Sequence, residues 1–254
     1  MTRKLVLAMI FLNCCFVSSS YAASFDFSLW DGILRDHVYR GKKDGVALNL
    51  VDYDKVKSAP GFKKLLDDLA NIKPDFSGRR EKIVFWINAY NIFALKMVVD
   101  NPGIESIRDA GFFSGSVWKR KAGIVGGKEY TLGQIEHEIL RKLGEPRIHF
   151  AIVCASVSCP DLRMEAFDAA RFDKQLDDQS RIFVYNRHKG LRIDRANKKI
   201  HLSKIFKWFK DDFEKSGGVR AFASRYMSKD DADAVTNRKY SIRYLGYNWK
   251  LNAF

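Results

Sequence analysis

The apolar positions of the chain recur mostly at helical spacing, with short polar or glycine-containing breaks between them. Residues 80–99 are apolar nearly all round, which is typical of a helix that is buried on every side. Amphipathic spacing predicts further helices at residues 25–39, 62–69, 131–143, 160–185, 203–214 and 219–227. The pattern therefore predicts a chain that is rich in helix.

Short runs of β-branched and aromatic residues predict a few strands. They lie at residues 47–53, 122–125, 128–131, 148–153, 190–193, 199–202 and 240–244. Several pair as hairpins, and strands and helices do not alternate regularly. We therefore expect an α+β fold, with one helix-rich domain at residues 23–254 around a small, mainly antiparallel sheet. A papain-like or transglutaminase-like arrangement would suit this class, as a fold-level analogy only.

The run at residues 148–153 leads into the stretch that carries the most chemistry. It contains His149, and Cys154 follows it; Cys159 comes five residues later, directly before Pro160. Pro160 is a suitable first residue of a helix, and a helix N-terminus favours the thiolate form of a cysteine. A strand, a tight loop and Cys159 at a helix start would present a nucleophile. The alternative is a core strand whose two cysteines form a structural disulfide.

Two asparagines fall on the helix predicted to be buried. Asn88 and Asn91 are three residues apart, so they share a face of that helix. Each buried amide needs hydrogen-bond partners, because an orphaned polar group costs about 1–3 kcal/mol. The two side chains would either orient a catalytic group or substrate, or hold the backbone of a neighbouring loop.

The helix at residues 131–143 carries two more candidates. Thr131 and Gln134 form the pattern of a capping box at its start. Glu136 falls within the apolar stripe, with His137 on the flank. A carboxylate in a buried stripe needs a positive or donating partner. Three residues could supply it: Arg147, His149 and Arg163. A purely structural Glu–Arg pair is the alternative.

Five pieces of the chain carry a resemblance to a known family. They are residues 85–91 (FWINAYN), 135–141 (IEHEILR), 147–163, 202–208 (LSKIFKW) and the pair Asp212-Phe213. Together they resemble the bacterial and plant family called domain of unknown function 547 (DUF547). The resemblance implies that motif positions are held by Asn88, Asn91, Glu136, His137, His149, Cys154, Cys159 and Pro160. It implies no reaction, since the family name records none.

The N-terminus has the pattern of a secretory signal peptide at residues 1–22. Arg3 and Lys4 precede an apolar run at residues 5–17, and small residues permit cleavage after Ala22. No later stretch is expected to reach the length of a transmembrane helix. We therefore expect the mature chain to be periplasmic or secreted.

Removal of the signal peptide changes the cysteine count and the charge. Two of four cysteines remain, and the net charge falls from +14 to +12 because two basic residues are lost. In an oxidising compartment Cys154 and Cys159 invite a disulfide. Basic residues are densest at residues 187–199, which favours anionic partners such as an envelope component. Export and the lack of a nucleic-acid motif argue against nucleic acid.

A cysteine-dependent hydrolase or transferase acting on an amide or peptide bond is the first hypothesis. Its catalytic residues would come from Cys154, Cys159, His137, His149 and Glu136, with a thiolate nucleophile and an imidazole base. No cofactor is expected.

Other residues would support that chemistry. Glu136 or Asn91 would orient the imidazole, and Asn88, Asn91 and Arg163 would bind substrate or orient catalytic groups. Backbone N–H groups at residues 156–159 would stabilise the oxyanion. A histidine after the cysteines would fit the papain order better, which keeps His201 as a reserve candidate.

Two other hypotheses remain. The second is a non-catalytic periplasmic binding or scaffold protein with a structural Cys154–Cys159 disulfide and a basic interaction surface. The third is a zinc site built from the same histidines and cysteines, although the spacing of the cysteines is not a common zinc spacing.

Overall fold

The computed structural model describes residues 25–111 and 116–254, so the predicted signal peptide lies outside the described residues. Within these ranges the α-helices are α1 Ser28–His37, α2 Tyr53–Ser58, α3 Pro60–Asn71, α4 Arg79–Val99, α5 Phe172–Tyr185, α6 Ile205–Trp208, α7 Gly218–Ser224 and α8 Lys229–Thr236. The strands are β1 Val38–Lys43, β2 Val46–Val51, β3 Lys121–Val125, β4 Lys128–Thr131, β5 Leu191–Asp194, β6 Lys199–Leu202 and β7 Ser241–Tyr244.

Short 3₁₀ and π-helical segments connect several of the α-helices and strands. The 3₁₀ segments are Ile107–Ala110, Ser116–Lys119, Arg141–Leu143, Pro146–Phe150, Ala169–Arg171 and Lys210–Ser216. Gln134–Leu140 is a π-helix. Its start confirms the predicted capping box, because the Thr131 and Gln134 side chains each accept the other residue's backbone N–H.

The strands form three small sheets instead of the single expected sheet. β1 pairs with β2 and β3 with β4, both antiparallel. β5 pairs antiparallel with β6, and β6 pairs parallel with β7. The predicted hairpins and the α+β class are confirmed, and the small sheets lie among helices.

Helix α4 is the centre of the main hydrophobic core. Its residues from Ile83 to Leu95 are all buried, as its apolar sequence predicts. By length and composition alone α4 could cross a membrane, which contradicts the expectation that no later stretch is long enough. However, 89% of its most apolar window is buried inside the protein, as in a core helix.

A second hydrophobic cluster lies beside the first. Its centre is a group of phenylalanine rings that includes Phe150, Phe206, Phe213 and Phe222. The Phe150 ring lies 5.5 Å from Phe206 and 5.7 Å from Phe222, measured between centroids. Phe150 therefore joins the segment before the cysteines to the C-terminal third of the chain.

The strand predicted at residues 148–153 is wrong. Pro146 begins a 3₁₀ turn that runs to Phe150, and the Glu145 side chain caps it by accepting the Arg147 N–H. A short apolar run is compatible with either a buried strand or a buried turn, and here proline and its cap decide.

The helix predicted from Pro160 is also wrong. Helix α5 begins only at Phe172, so Cys159 does not lie at a helix N-terminus. Between these points the chain is irregular, because the N–H groups of residues 166–168 donate to side chains elsewhere. These acceptors are Asp31, Asn88 and Gln175. The helix expected at residues 203–214 is likewise divided into α6 and a 3₁₀ segment.

Candidate active site

A cavity of about 160 Å³ contains all five predicted catalytic residues. It lies where the two hydrophobic clusters meet, since Ile152 of the first and Ile205 of the second both line it. The full lining is Tyr90, Trp118, Glu136, His137, His149, Ile152, Cys154, Cys159, Pro160, Ile205, Phe209 and Tyr247. Most of the lining residues come from helix α4, the π-helix, the segment after β6, the C-terminal segment and residues 154–161. We call residues 154–161 the cysteine loop.

Cys154 lies in a strained turn with polar groups directed at its sulfur. Ala155 has φ of 56°, a left-handed conformation that is costly for a residue with a Cβ. The turn brings the Ser156 Oγ to 3.2 Å from the Cys154 Sγ, and the Tyr247 hydroxyl is 3.3 Å away. Backbone strain of this kind is often found at functional sites.

The two cysteines have different environments. Cys159 is buried and Cys154 is partly exposed; both are free thiols in this structure, so the expected disulfide is not shown. The Cys154 N–H donates to the Cys159 Sγ over 2.8 Å. A hydrogen bond from the Cys159 side chain, aided by Ser156 and Tyr247, lowers the pKa of Cys154 to about 7 against the effect of burial.

Cys159 responds in the opposite direction. Burial raises the pKa of the Cys159 thiol well above its usual value, and the hydrogen bond to Cys154 raises it further. When one proton is shared by the pair, it therefore resides on Cys159. Cys154 is therefore the residue that can be a thiolate near neutral pH. The thiolate is the nucleophilic form of a cysteine.

His149 is held by an acidic residue from the 3₁₀ segment that follows α6. Its Nε2 lies 2.7 Å from the Asp212 Oδ2. Arg141 donates two hydrogen bonds to the same carboxylate, from Nε to Oδ2 over 2.6 Å and from Nη2 to Oδ1 over 2.8 Å. Phe209 stacks on the imidazole with centroids 4.0 Å apart.

These contacts decide the tautomer of His149. Although burial acts to raise the pKa of Asp212, bonds from Arg141 and His149 hold it well below its usual value. An ionised carboxylate only accepts, so the proton of the neutral imidazole is on Nε2. Nδ1 is then the basic nitrogen, and it is buried with no hydrogen-bond partner among the described residues. Burial lowers the pKa of His149, which keeps the ring neutral near neutral pH, with the Nδ1 lone pair available to accept a proton.

His137 is the weaker candidate for a base. Its Nδ1 lies 3.3 Å from the Arg141 Nη1, which can only donate. That contact occupies the Nδ1 lone pair and places the neutral proton on Nε2. Partial burial and the charge of Arg141 lower the pKa of His137. Its place at the cavity suits substrate contact better than proton removal.

Glu136 is buried, as its position in the apolar stripe predicts, but its partner is not one of those expected. The Tyr90 hydroxyl donates to Glu136 Oε2 over 3.3 Å, and the Trp118 Nε1 donates to Tyr90 over 3.3 Å. Burial and the charge of Cys154 raise the pKa of Glu136 to about 7. Glu136 is thus a carboxyl that can carry a proton near neutral pH.

The two asparagines of α4 each hold a loop through two hydrogen bonds. Asn88 donates to the carbonyl of Phe167 and accepts its N–H. Asn91 donates to the Ala151 carbonyl over 2.9 Å and accepts the Val153 N–H over 2.9 Å. Asn91 therefore positions the backbone directly before Cys154, whereas Asn88 acts at a loop that does not line the cavity.

Arg163, unlike the other candidates, does not line the cavity. Its guanidinium bonds to Glu165 and to the Gln175 carbonyl, so it neither pairs with Glu136 nor contacts the cysteines. His201, the reserve histidine, lies in strand β6, away from the cavity lining. Neither residue belongs to the site.

The backbone groups expected to form an oxyanion hole are already occupied. The Val157 N–H donates to the carbonyl of Lys250, Ser158 to Asn248, and Cys159 to Ser156. These bonds fix the cysteine loop against the C-terminal segment. Stabilisation of an oxyanion would need other donors, and the Tyr247 hydroxyl already lies beside Cys154.

A buried ion pair anchors the same loop on its other side. Asp161 lies two residues after Cys159 and accepts from the fully buried Lys189 Nζ over 2.6 Å. The Asn49 N–H donates to the same carboxylate oxygen. A buried charge of this kind is tolerated because it is paired and hydrogen-bonded.

Sequence reasoning missed three residues of the site: Tyr90, Asp212 and Tyr247. Asp212 was visible only as part of the motif pair Asp212-Phe213, with no role attached. Tyr90 lies between two flagged asparagines, and Tyr247 in a segment predicted only to pack. No group of three or more metal-ligating side chains is suitably placed within the described ranges, so the zinc hypothesis gains no support.

Comparison with known proteins assigns the domain. Residues 74–184 match the family described as "Protein of unknown function, DUF547". The chain carries a DUF547 domain. The match includes both asparagines, Glu136, both motif histidines and both cysteines, but it ends before Asp212 and Tyr247. The DUF547 segment therefore supplies the thiol, and the C-terminal third completes its surroundings. No match to a curated protein or a solved structure was found.

Proposed function

We propose that this DUF547 protein is a cysteine-dependent hydrolase or transferase acting on an amide or peptide bond. The observation that carries the proposal is the set of donors around Cys154 in a cavity that it shares with His149. A thiolate stabilised by several hydrogen bonds and partly exposed is a prepared nucleophile. A packed structural cysteine needs no such donors.

The reaction follows the usual balance of acyl transfer. The Cys154 thiolate attacks the carbonyl carbon, and the C–N bond breaks to leave a thioester. The leaving amine takes a proton from Glu136, whose pKa of about 7 leaves it partly protonated at neutral pH and which lines the same cavity. Water or an amine then attacks the thioester with His149 as the base, and the C–S bond breaks to restore the thiolate. The proton taken by His149 returns through solvent to Glu136, which closes the cycle.

Asp212 takes the orienting role that the sequence had suggested for Glu136 or Asn91. It fixes the imidazole of His149 with the basic Nδ1 free, and Arg141 fixes Asp212 in turn. An acid, an imidazole and a thiolate in these roles match the logic of known nucleophilic triads, irrespective of their order in the chain.

The test is acyl transfer to Cys154 from p-nitrophenyl acetate, followed by intact mass and peptide mapping. We expect one acetyl group on Cys154, lost again with time, and none in the Cys154→Ser variant. The Asp212→Asn variant should still acylate but should lose the acetyl group more slowly, because the imidazole is no longer oriented. Acylation of lysines alone, with Cys154 unmodified, would overturn the proposal.

A second function, binding of an anionic envelope component, has one specific observation in its favour. Arg192, His201 and Arg243 are direct neighbours across β5, β6 and β7. Burial and the two arginines lower the pKa of His201, so the charge of the row near neutral pH comes from the two guanidinium groups. Two arginines on one face of a small sheet suit an anionic ligand. Sedimentation with phosphatidylglycerol vesicles, and not phosphatidylcholine vesicles, is expected for the wild type. It should be lost in the double variant Arg192→Glu, Arg243→Glu; equal binding by both proteins would contradict the idea.

Export completes the proposal for localisation. Residues 1–22 have the composition of a signal peptide, and the site requires free thiols. We propose a periplasmic or secreted protein in which Cys154 and Cys159 remain reduced during activity. N-terminal sequencing of the protein from the periplasmic fraction should begin at Ala23; an intact Met1 in the cytoplasmic fraction would contradict it.

A further inference from the structure

The segment at residues 247–251 runs past the cavity beside the cysteine loop, with a bend at Lys250 and an antiparallel bridge between Leu251 and Ser156. One of its edges pairs with the cysteine loop, because the Val157 N–H donates to the Lys250 carbonyl over 2.9 Å and the Ser158 N–H to Asn248 over 3.1 Å. The Asn248 and Lys250 carbonyls therefore point towards the cysteine loop, as does the Asn248 N–H, which donates to the Ser158 Oγ over 2.8 Å.

The opposite edge is paired at Leu251 and unpaired before it. The Leu251 N–H donates away from the cysteine loop, to the Glu105 carbonyl over 2.7 Å. Successive residues of such a segment direct their backbone groups to opposite edges. The backbone groups of Tyr247 and Trp249 therefore point away from the cysteine loop, as the Leu251 N–H does. In the part of the chain that the structure describes, their backbone N–H and C=O groups make no hydrogen bond. An unpaired edge of this kind is a template for an added strand.

Aromatic rings form a shelf along this edge. Three of the five tryptophans of the chain meet here, and the other two are buried in the core. The Trp249 ring lies 5.9 Å from Trp118, 5.8 Å from Trp208 and 4.5 Å from Tyr247, measured between centroids. We call these four residues the aromatic shelf. Trp208 is 45% exposed, the other three rings are half-buried, and the Arg108 guanidinium lies over the Trp249 ring at 5.1 Å. Aromatic side chains grouped at a surface in this way are typical of a binding site.

The shelf is continuous with the cavity. Trp118 and Tyr247 belong to both, and the Tyr247 hydroxyl reaches the Cys154 Sγ. The cavity itself, at about 160 Å³, is smaller than the roughly 300–1,000 Å³ that usually encloses a small ligand. It can hold the reacting group, and the rest of a substrate must lie outside it, where the shelf begins.

We propose that the substrate is an extended peptide, bound as an added strand along Tyr247 and Trp249 with its side chains against the aromatic shelf. Main-chain hydrogen bonds give such a mode its affinity, and alternate side chains give it specificity. The inference rests on the proposed function and names its substrate class. The Cys154 thiolate breaks a peptide C–N bond and forms a thioester, and the leaving amine takes the proton of Glu136. Water then hydrolyses the thioester and releases the carboxylic acid.

The test compares three electrophiles that label Cys154 by the same chemistry. They are methyl vinyl sulfone, an equimolar mixture of tetrapeptide vinyl sulfones, and the same mixture with N-methylated backbone amides. We expect the tetrapeptide mixture to label Cys154 of the wild type at least about tenfold faster than methyl vinyl sulfone, because the peptide can bind as an added strand before it reacts. N-methylation should remove most of that advantage, because it removes the donors. Rates are read from intact mass.

Two variants locate the effect. Trp249→Pro removes the outward N–H and should reduce the peptide advantage, whereas the matched control Trp249→Phe keeps the N–H and a ring. Trp208→Ala removes an exposed ring of the shelf, without touching the core, and should also reduce it. For each variant the rate with the tetrapeptide mixture is divided by the rate with methyl vinyl sulfone, so that any change in the reactivity of Cys154 itself cancels.

The outcomes separate this inference from the proposed function. If the peptide and methyl probes label Cys154 equally fast, or if N-methylation has no effect, the added strand is refuted while the thiolate remains. If neither probe labels Cys154, the proposed function fails and the inference fails with it.

Discussion

The difference between the two cysteines can be tested by removing Cys159, the one whose pKa is raised. In Cys159→Ala the hydrogen bond from Cys159 to the Cys154 sulfur is lost, and that bond is the largest cause of the lowered pKa. Burial of Cys154 remains and acts in the opposite direction. The pKa of Cys154 should therefore rise from about 7 towards or above its ordinary value of 9.0.

The size of the effect depends on two opposing terms. A rise of about two pKa units lowers the thiolate fraction at pH 7 from about one half to about 1%, roughly fiftyfold. A more basic thiolate is intrinsically more nucleophilic, with a Brønsted slope of about 0.4–0.5, which recovers roughly six- to tenfold. The net loss at pH 7 is therefore only about five- to eightfold, and above about pH 8 the variant should react faster than the wild type.

The assay is the pH dependence of alkylation by iodoacetamide, followed by intact mass. Wild-type labelling should have a midpoint near pH 7, the variant a midpoint at least about one unit higher, and the two curves should cross. Cys159→Ser keeps a hydroxyl donor and should remain close to the wild type, while Cys154→Ser should lose the fast phase. A wild-type midpoint near pH 9, or curves for Cys159→Ala and wild type that coincide, would refute the reasoning.

Three further predictions concern groups around the cavity. Asn91→Ala and Asn88→Ala each lose two buried hydrogen bonds and should lower the free energy of unfolding in urea by about 2–4 kcal/mol. Only Asn91→Ala should also slow thiol labelling, and equal labelling rates would contradict its positioning role. The raised pKa of Glu136 means that its contribution to stability is full below about pH 4.5 and is lost as the pH rises through about 7. Glu136→Gln should therefore be more stable than the wild type at pH 8, by about 3 kcal/mol at most, with little gain at pH 5; a constant difference would contradict this. Lys189→Met should lower the free energy of unfolding by about 3–5 kcal/mol, and adding Asp161→Leu should restore part of it.

The regular elements were predictable where one physical signal dominated. The apolar surface of α4 predicts burial on every side, and its bounds differ from the prediction by one residue. The hairpins at β3–β4 and β5–β6 follow from short β-prone runs with turns between them. In these segments local pattern and tertiary packing agree, which is the condition under which sequence patterns are reliable.

The errors arose where side chains far away in the chain take over backbone hydrogen bonds. Residues 160–168 look suitable for a helix, but Asn88 and Gln175 accept their N–H groups and hold them in an irregular path. Near Cys154, Asn91 does the same for Val153. The sequence shows the two asparagines but not the distant backbone groups to which they bond. The spacing of apolar residues therefore cannot reveal such bonds.

The proposed catalytic residues were predictable as a list but not as a set of pairs. Glu136 and His137 are adjacent in sequence, yet His149 is held by Asp212, 63 residues away. Which nitrogen of a histidine is basic depends on the group that holds the other nitrogen, and that group can come from any element that packs nearby. Composition and motif spacing can nominate the thiol and the imidazole, whereas the carboxylate that decides their chemistry is identified only once the C-terminal third is folded against the DUF547 segment. The same reasoning explains why the family match, which ends at residue 184, contains the proposed nucleophile and base but not the residue that orients the base.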